Sequence, residues 1–134
     1  MGAINGVLYS EGNWPEKLLE INPDGIDLII DSAGGPGFLN LIQILKTGGR
    51  IVNFGGTAGN IPEIIPARLF WKQASILGTT MGSPTDFEQM LAFVAEYIVH
   101  PLVDKVFDFK DVQKAFEYMQ NQSQFGKIVL RIAN

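Results

Sequence analysis

Apolar residues along this chain follow two spacings. Short runs at 6–9, 26–30 and 51–54 are separated by stretches in which apolar side chains return every three or four positions. The first spacing suits buried strands and the second suits amphipathic helices. Asn13, with Pro15 in the first turn and Glu16 three residues on, predicts a capping box and a short helix reaching about Glu20. Asn22-Pro23-Asp24-Gly25 then turns the chain into the strand at 26–30. Phe38, Leu41, Ile42 and Leu45 share one helical face, which Thr47-Gly48-Gly49 stops ahead of the next strand. Past Pro62 and Pro66 the pattern predicts a short helix at 67–72 and a strand at 75–79. Ser83, Pro84 and Asp86 read as the start of a helix whose face is Phe87, Met90, Leu91, Val94 and Ile98, ended by His100-Pro101. An extended segment at 105–109, a helix face of Val112, Ala115, Phe116 and Met119, and a strand at 127–132 complete the series.

Strands alternating with helices predict an α/β fold, a Rossmann-like parallel sheet with helix layers on both sides. The 134 residues, 46% of them hydrophobic and 18% charged, suffice for one globular domain spanning 1–134. A net charge of −4 without a basic cluster argues against nucleic acid as a partner. No apolar stretch approaches the roughly 20 residues that span a bilayer, and no membrane partner is expected. With no cysteine and one histidine, no zinc site is expected in this chain. A cytoplasmic location is the expectation.

The strand ends carry the candidate chemistry. The run at 26–30 closes on Asp31-Ser32-Ala33-Gly34-Gly35 and the run at 51–54 on Gly55-Gly56, small residues that let a ligand approach the backbone at the carboxyl ends of an open sheet. Gly35-Pro36-Gly37-Phe38-Leu39-Asn40 nearly fits the dinucleotide fingerprint, but Asn40 stands where the third glycine belongs, so a turn opening a helix competes with a phosphate loop. Ser32, His100 and Asp31 do not make a hydrolase, because Ser32 lacks the leading glycine of a nucleophile elbow. Asp31 as a phospho-acceptor lacks further acidic residues to hold magnesium. Trp14, Phe70 and Trp71 read as packing groups, since no basic groove accompanies them.

Taken in order, Tyr9-Ser10, Asp27-Leu28-Ile29-Ile30-Asp31-Ser32-Ala33-Gly34-Gly35, Leu45-Lys46-Thr47-Gly48-Gly49-Arg50-Ile51-Val52-Asn53-Phe54-Gly55, Ile76-Leu77-Gly78-Thr79-Thr80-Met81-Gly82-Ser83 and Phe125-Gly126-Lys127-Ile128-Val129-Leu130 resemble the medium-chain dehydrogenase/reductase superfamily. The resemblance is to its zinc-type alcohol dehydrogenase-like, quinone oxidoreductase branch. It implies the later part of a Rossmann domain, truncated at its N-terminal part, with the GroES-like catalytic domain and the true glycine-rich loop absent.

The resemblance further implies an NAD(P)H-dependent oxidoreductase that reduces a quinone, enone or carbonyl, with NADP(H) ahead of NAD(H) as cofactor. It places Tyr9 beside the adenosine ribose or its 2′-phosphate and Ser32 at the ribose edge. Phe54, Gly55 and Thr57 would line the nicotinamide side, with Thr80 and Met81 close by and Lys127 as a further contact. It names no catalytic residue in this chain. By the family's architecture the strand at 75–79 is a sheet edge that pairs with its twin in a homodimer. The alternative is a nucleotide-binding or dimerisation module without catalysis of its own.

Overall fold

The computed structural model describes residues 2–121 and 124–133. The fold is α/β with parallel strands throughout, in the order α1 (Trp14–Ile21), β1 (Ile26–Asp31), α2 (Phe38–Ile44), β2 (Leu45–Asn53), α3 (Pro66–Phe70), β3 (Ser75–Gly78), α4 (Pro84–Glu96), β4 (Val103–Asp108), α5 (Val112–Gln120) and β5 (Lys127–Arg131). The chain divides into two compact units, Met1–Met81 and Gly82–Asn134.

In the first unit β2 lies between β1 and β3, and all three strands run parallel. The side chains alternate as the pleat requires. Ile51 turns to the face where Phe38, Ile42 and Leu45 form the buried core, joined by Ile29, Leu41, Leu69 and Ala74. Burying such a side chain contributes about 1.5–3 kcal/mol. On alternate positions Leu28, Ile30 and Leu77 are about half exposed.

Three local expectations are corrected in this unit. Residues 6–8 form no strand: the Leu8 carbonyl accepts from the Glu11 amide at 3.0 Å, so a local turn through Tyr9 and Ser10 engages backbone that a ladder would need. The capping box at Asn13 does not form, because its backbone (φ −109°, ψ 24°) lies outside the extended region from which a cap side chain reaches the first-turn amides. Helix α2 stops at Ile44, before Thr47-Gly48-Gly49. Leu45 is already extended (ψ 134°) and pairs with Ile26, while Gly25 lies so close that a Cβ there would meet the Ile44 carbonyl at 2.8 Å.

The second unit is a helix followed by a βαβ turn. Ser83 and Asp86 form a full capping box at the start of α4. That helix ends at Glu96, earlier than His100-Pro101 would stop it, because Ile98 takes a left-handed conformation (φ 51°) and the Val99 amide bonds the Val94 carbonyl at 3.0 Å. This is a Schellman closure, with an isoleucine where glycine is usual. Strands β4 and β5 pair in parallel, Ala115 of α5 is buried, and the Tyr118 hydroxyl donates to Asp104 at 2.9 Å.

Candidate functional site

The carboxyl ends of β1 and β2 are tied together by their own backbones. The Phe54 amide donates to the Asp31 carbonyl at 3.1 Å, that of Ala58 to the Ala33 carbonyl at 2.9 Å, and that of Gly35 to the Gly59 carbonyl at 3.0 Å. The approach is so close that a Cβ on Gly55 would stand 2.2 Å from the Ser32 carbonyl oxygen, and one on Gly35 would stand 2.6 Å from the Ala58 carbonyl oxygen. Glycine at 55 is thus a steric requirement. Gly56 differs: a Cβ there meets nothing within 4 Å, so this turn is open on the side from which a ligand would approach.

A side-chain pair, Asp31 and the part-buried Asn53, locks the arrangement. Asp31 is 9% exposed; its Oδ1 accepts from the Ala33 amide at 3.1 Å, and its Oδ2 from the Gly34 amide at 3.0 Å and from Asn53 Nδ2 at 2.7 Å. Asn53 Nδ2 also donates to the Gly55 carbonyl at 2.8 Å. One amide therefore joins the two turns. The sequence motifs assign neither Asp31 nor Asn53 this role. The available signal was a carboxylate and a carboxamide, each at the last strand position before a glycine turn.

Beside this pair lies a cavity of about 340 Å³, lined by Val7, Tyr9, Trp14, Asp31, Ala33, Gly34, Gly37 and Leu41. Its walls are mainly apolar and aromatic, and Asp31 is its one charged lining residue. The size suits a small organic ligand.

The sequence-predicted residues divide accordingly. Tyr9, 84% exposed, lines the cavity; Ser32, Phe54, Gly55 and Thr57 lie on the two joined turns. The Thr79 amide bonds the Asn53 carbonyl at 3.1 Å, which brings the end of β3 to the same edge, and Thr80 and Met81 continue from it. Met81 is 92% exposed. Lys127 opens β5 in the other unit, where its amide donates to the Leu102 carbonyl at 2.8 Å.

The Gly35-Pro36-Gly37 turn does not offer a phosphate cradle. The Gly34 amide is held by Asp31, the Gly35 amide by Gly59, the Phe38 amide by the Gly35 carbonyl, and Pro36 has none, which leaves the Gly37 amide as the one donor of the turn not so engaged. A phosphate-binding turn needs several free amides converging on one point. A pyrophosphate does not find such a set of donors in this turn. Among the described residues no group of three or more His, Cys, Asp or Glu is placed to hold a metal ion, and no helix is long and apolar enough to cross a membrane.

Residues 2–130 match the zinc-binding dehydrogenase family. The chain belongs to that family. It is 32% identical to the zinc-type alcohol dehydrogenase-like protein C1773.06c of Schizosaccharomyces pombe, over 98% of this chain and 40% of that protein. It is 29% identical to quinone oxidoreductase-like protein 2 of Rattus norvegicus, again over 98% of this chain and 40% of the relative. Among solved structures, an NAD-dependent alcohol dehydrogenase superposes with a TM-score of 0.87 at 30% identity, covering 98% of this chain and 39% of the other. The chain thus spans about 40% of the length of the curated relatives it matches. These relatives are dehydrogenases and oxidoreductase-like proteins by name, and the fold of this chain is that of their Rossmann-like part.

Proposed function

We propose that this chain forms part of the dinucleotide-binding side of an NAD(P)H-dependent oxidoreductase that reduces a quinone, an enone or a carbonyl. The observation carrying the reading is the junction of β1 and β2, where two close-packed glycine turns and the cavity beside Tyr9 meet at the carboxyl edge of a parallel sheet. Quinone oxidoreductase-like and alcohol dehydrogenase names among the relatives support the reaction class. When bound, the nicotinamide supplies the hydride.

This chain's residues position the cofactor. Tyr9 and Trp14 offer aromatic surface to the adenosine, and Asp31 Oδ1, with one donor already bound, retains a lone pair for a ribose hydroxyl. Phe54, Gly55 and Thr57, with Thr80 and Met81, form the nicotinamide edge. No cationic residue lines the cavity, so a preference for NADP(H) would need a partner for the 2′-phosphate from outside it. The assembly we propose is a homodimer joined along β3, which pairs on one side with β2 and whose residues are all exposed.

Calorimetry on the whole chain tests the cofactor reading. Each charge-assisted hydrogen bond to phosphate contributes roughly 1.5–3 kcal/mol, and the amides of Gly34, Gly35 and Phe38 are already spent. NADPH and NADH should therefore bind no tighter than about millimolar, within a few-fold of adenosine monophosphate, and this chain alone should not oxidise NADPH in the presence of a quinone. Micromolar binding of either dinucleotide, measurable oxidation, or no nucleotide binding at all would overturn the proposal.

A further inference from the structure

At the opposite edge of the first unit's sheet, where β1 and β2 begin, lies a second cavity. It is roughly 430 Å³ and is lined by Ile42, Gln43, Ala67, Arg68, Trp71 and Lys72. Lys72, which lines it, bonds the carbonyl of Leu45, where β2 begins, whereas the turns described above follow the carboxyl ends of β1 and β2. It shares no lining residue with the cavity beside Tyr9.

Its chemistry follows from how α3 continues. The Trp71 amide still bonds the Ala67 carbonyl at 3.2 Å, so helical spacing carries past Phe70 and sets two rows, Ala67 above Trp71 and Arg68 above Lys72, against the end of α2. Ile42, 1% exposed, supplies an apolar floor, and Trp71, 78% exposed with the Phe70 ring 5.3 Å away, supplies an aromatic wall. Lys72 Nζ donates to the Gln43 carbonyl at 2.6 Å and to the Leu45 carbonyl. That fixes one positive charge at the rim and satisfies the carbonyls at the helix end, which would otherwise repel an anion. The Arg68 side chain makes no hydrogen bond or ion pair within the described residues, and its five donors remain available. In a chain of net charge −4, an apolar cleft bearing two cations and no acidic lining residue stands out.

We infer that this cleft binds a small amphipathic anion, a medium-chain or aromatic carboxylate whose apolar body lies on Ile42, Ala67 and Trp71 and whose carboxylate is taken bidentately by Arg68. Lys72, anchored on α2, adds charge from a fixed position and Gln43 closes the side. The site stands independently of the cofactor reading, since no residue of one enters the other.

Trp71 is its own reporter once the only other tryptophan is replaced. In a Trp14→Phe background, titration with octanoate should change Trp71 emission saturably, while octanol should require at least ten-fold higher concentration. Arg68→Gln should weaken octanoate at least ten-fold with an unchanged far-ultraviolet spectrum and should leave the octanol response alone. Ala67→Phe, which fills the floor, should abolish both responses. The inference falls if the response does not saturate, if octanol matches octanoate, or if Arg68→Gln binds octanoate as the parent does. It falls equally if sedimentation shows that Trp71 is buried against a second copy and that Trp71→Ala releases monomers.

Discussion

Replacing Asp31 by alanine removes the acceptor on which three donors converge. The Gly34 amide is buried and left without a partner, at a cost of about 1–3 kcal/mol. The Ala33 amide and Asn53 Nδ2 are part-buried and recover some of their loss from water, and Asn53 keeps its bond to the Gly55 carbonyl. Desolvation of the carboxylate itself is relieved, which offsets part of the loss. The net expectation is a destabilisation of about 2–4 kcal/mol, toward the upper end of single-residue effects. Trp14 and Trp71 both lie in the first unit, so tryptophan emission during urea unfolding reports that unit, and the midpoint should fall by about 1–2 M at constant slope. Asp31→Asn is the sharper variant. It keeps the shape but turns one acceptor into a donor facing other donors, and it should lose at least half as much as the alanine variant. A loss below about 1 kcal/mol for alanine, or an asparagine variant as stable as the parent, would show that the carboxylate does not hold the two turns together.

Ile98→Gly should stabilise the second unit, because an L-residue in the left-handed region costs about 1–2 kcal/mol and glycine gives back only about 0.5–1 kcal/mol in chain entropy; slower amide exchange in α4 would confirm it, and faster exchange would refute it. Ser83→Ala should destabilise α4 by about 0.5–2 kcal/mol, read by the same exchange experiment. Hydrogen bonds from the Ser83 side chain and then its backbone hold the Asp86 carboxyl below its ordinary value. A carboxyl lowered on folding adds stability above its unfolded value and loses it as pH falls through the folded one, so the gap between parent and Ser83→Ala should narrow on acidification through the acidic range. If β3 pairs with its twin, sedimentation should find a dimer at micromolar concentration that Ile76→Pro dissociates; a monomer, or a dimer indifferent to proline, would remove that proposal.

The positions of α2 and β2 were legible because burial and periodicity agree there, whereas α4 was legible from spacing and its cap alone, since none of its residues is buried. Phe38 and Ile42 recur at helical spacing and are buried, and Ile51 in its short apolar run is buried too. Boundaries went wrong where a nonlocal contact overrode a local signal. Leu45 belongs to the helical pattern by spacing, yet pairing with Ile26 and the Lys72 ammonium on the last carbonyls of α2 pull it into β2. Ile98 belongs to the apolar face of α4, yet the left-handed closure leaves it outside the helix, a conformation no propensity scale assigns to isoleucine. Asn13 has the right residue type for a cap but the wrong backbone angles, and angles are set by the turn before it.

The site was legible to the same extent and for the same reason. Glycines at strand ends pointed to the approach of a ligand, and at Gly55 the close approach is that of the chain itself, where a β-carbon would collide with the Ser32 carbonyl. What the glycines could not announce is how the freed amides are used. Gly35-Pro36-Gly37 reads as a tight turn with a phosphate loop as its competitor, and what separates the two includes partners 22 and 24 positions away in sequence: Asn53 steadies Asp31, which holds the Gly34 amide, and the Gly59 carbonyl holds that of Gly35. A free amide attracts an anion, whereas a satisfied one only shapes a wall. The same atoms that join β1 to β2 thus keep this turn from binding phosphate, and a chain that gained NADPH affinity through it would first have to give up the Asp31 lock.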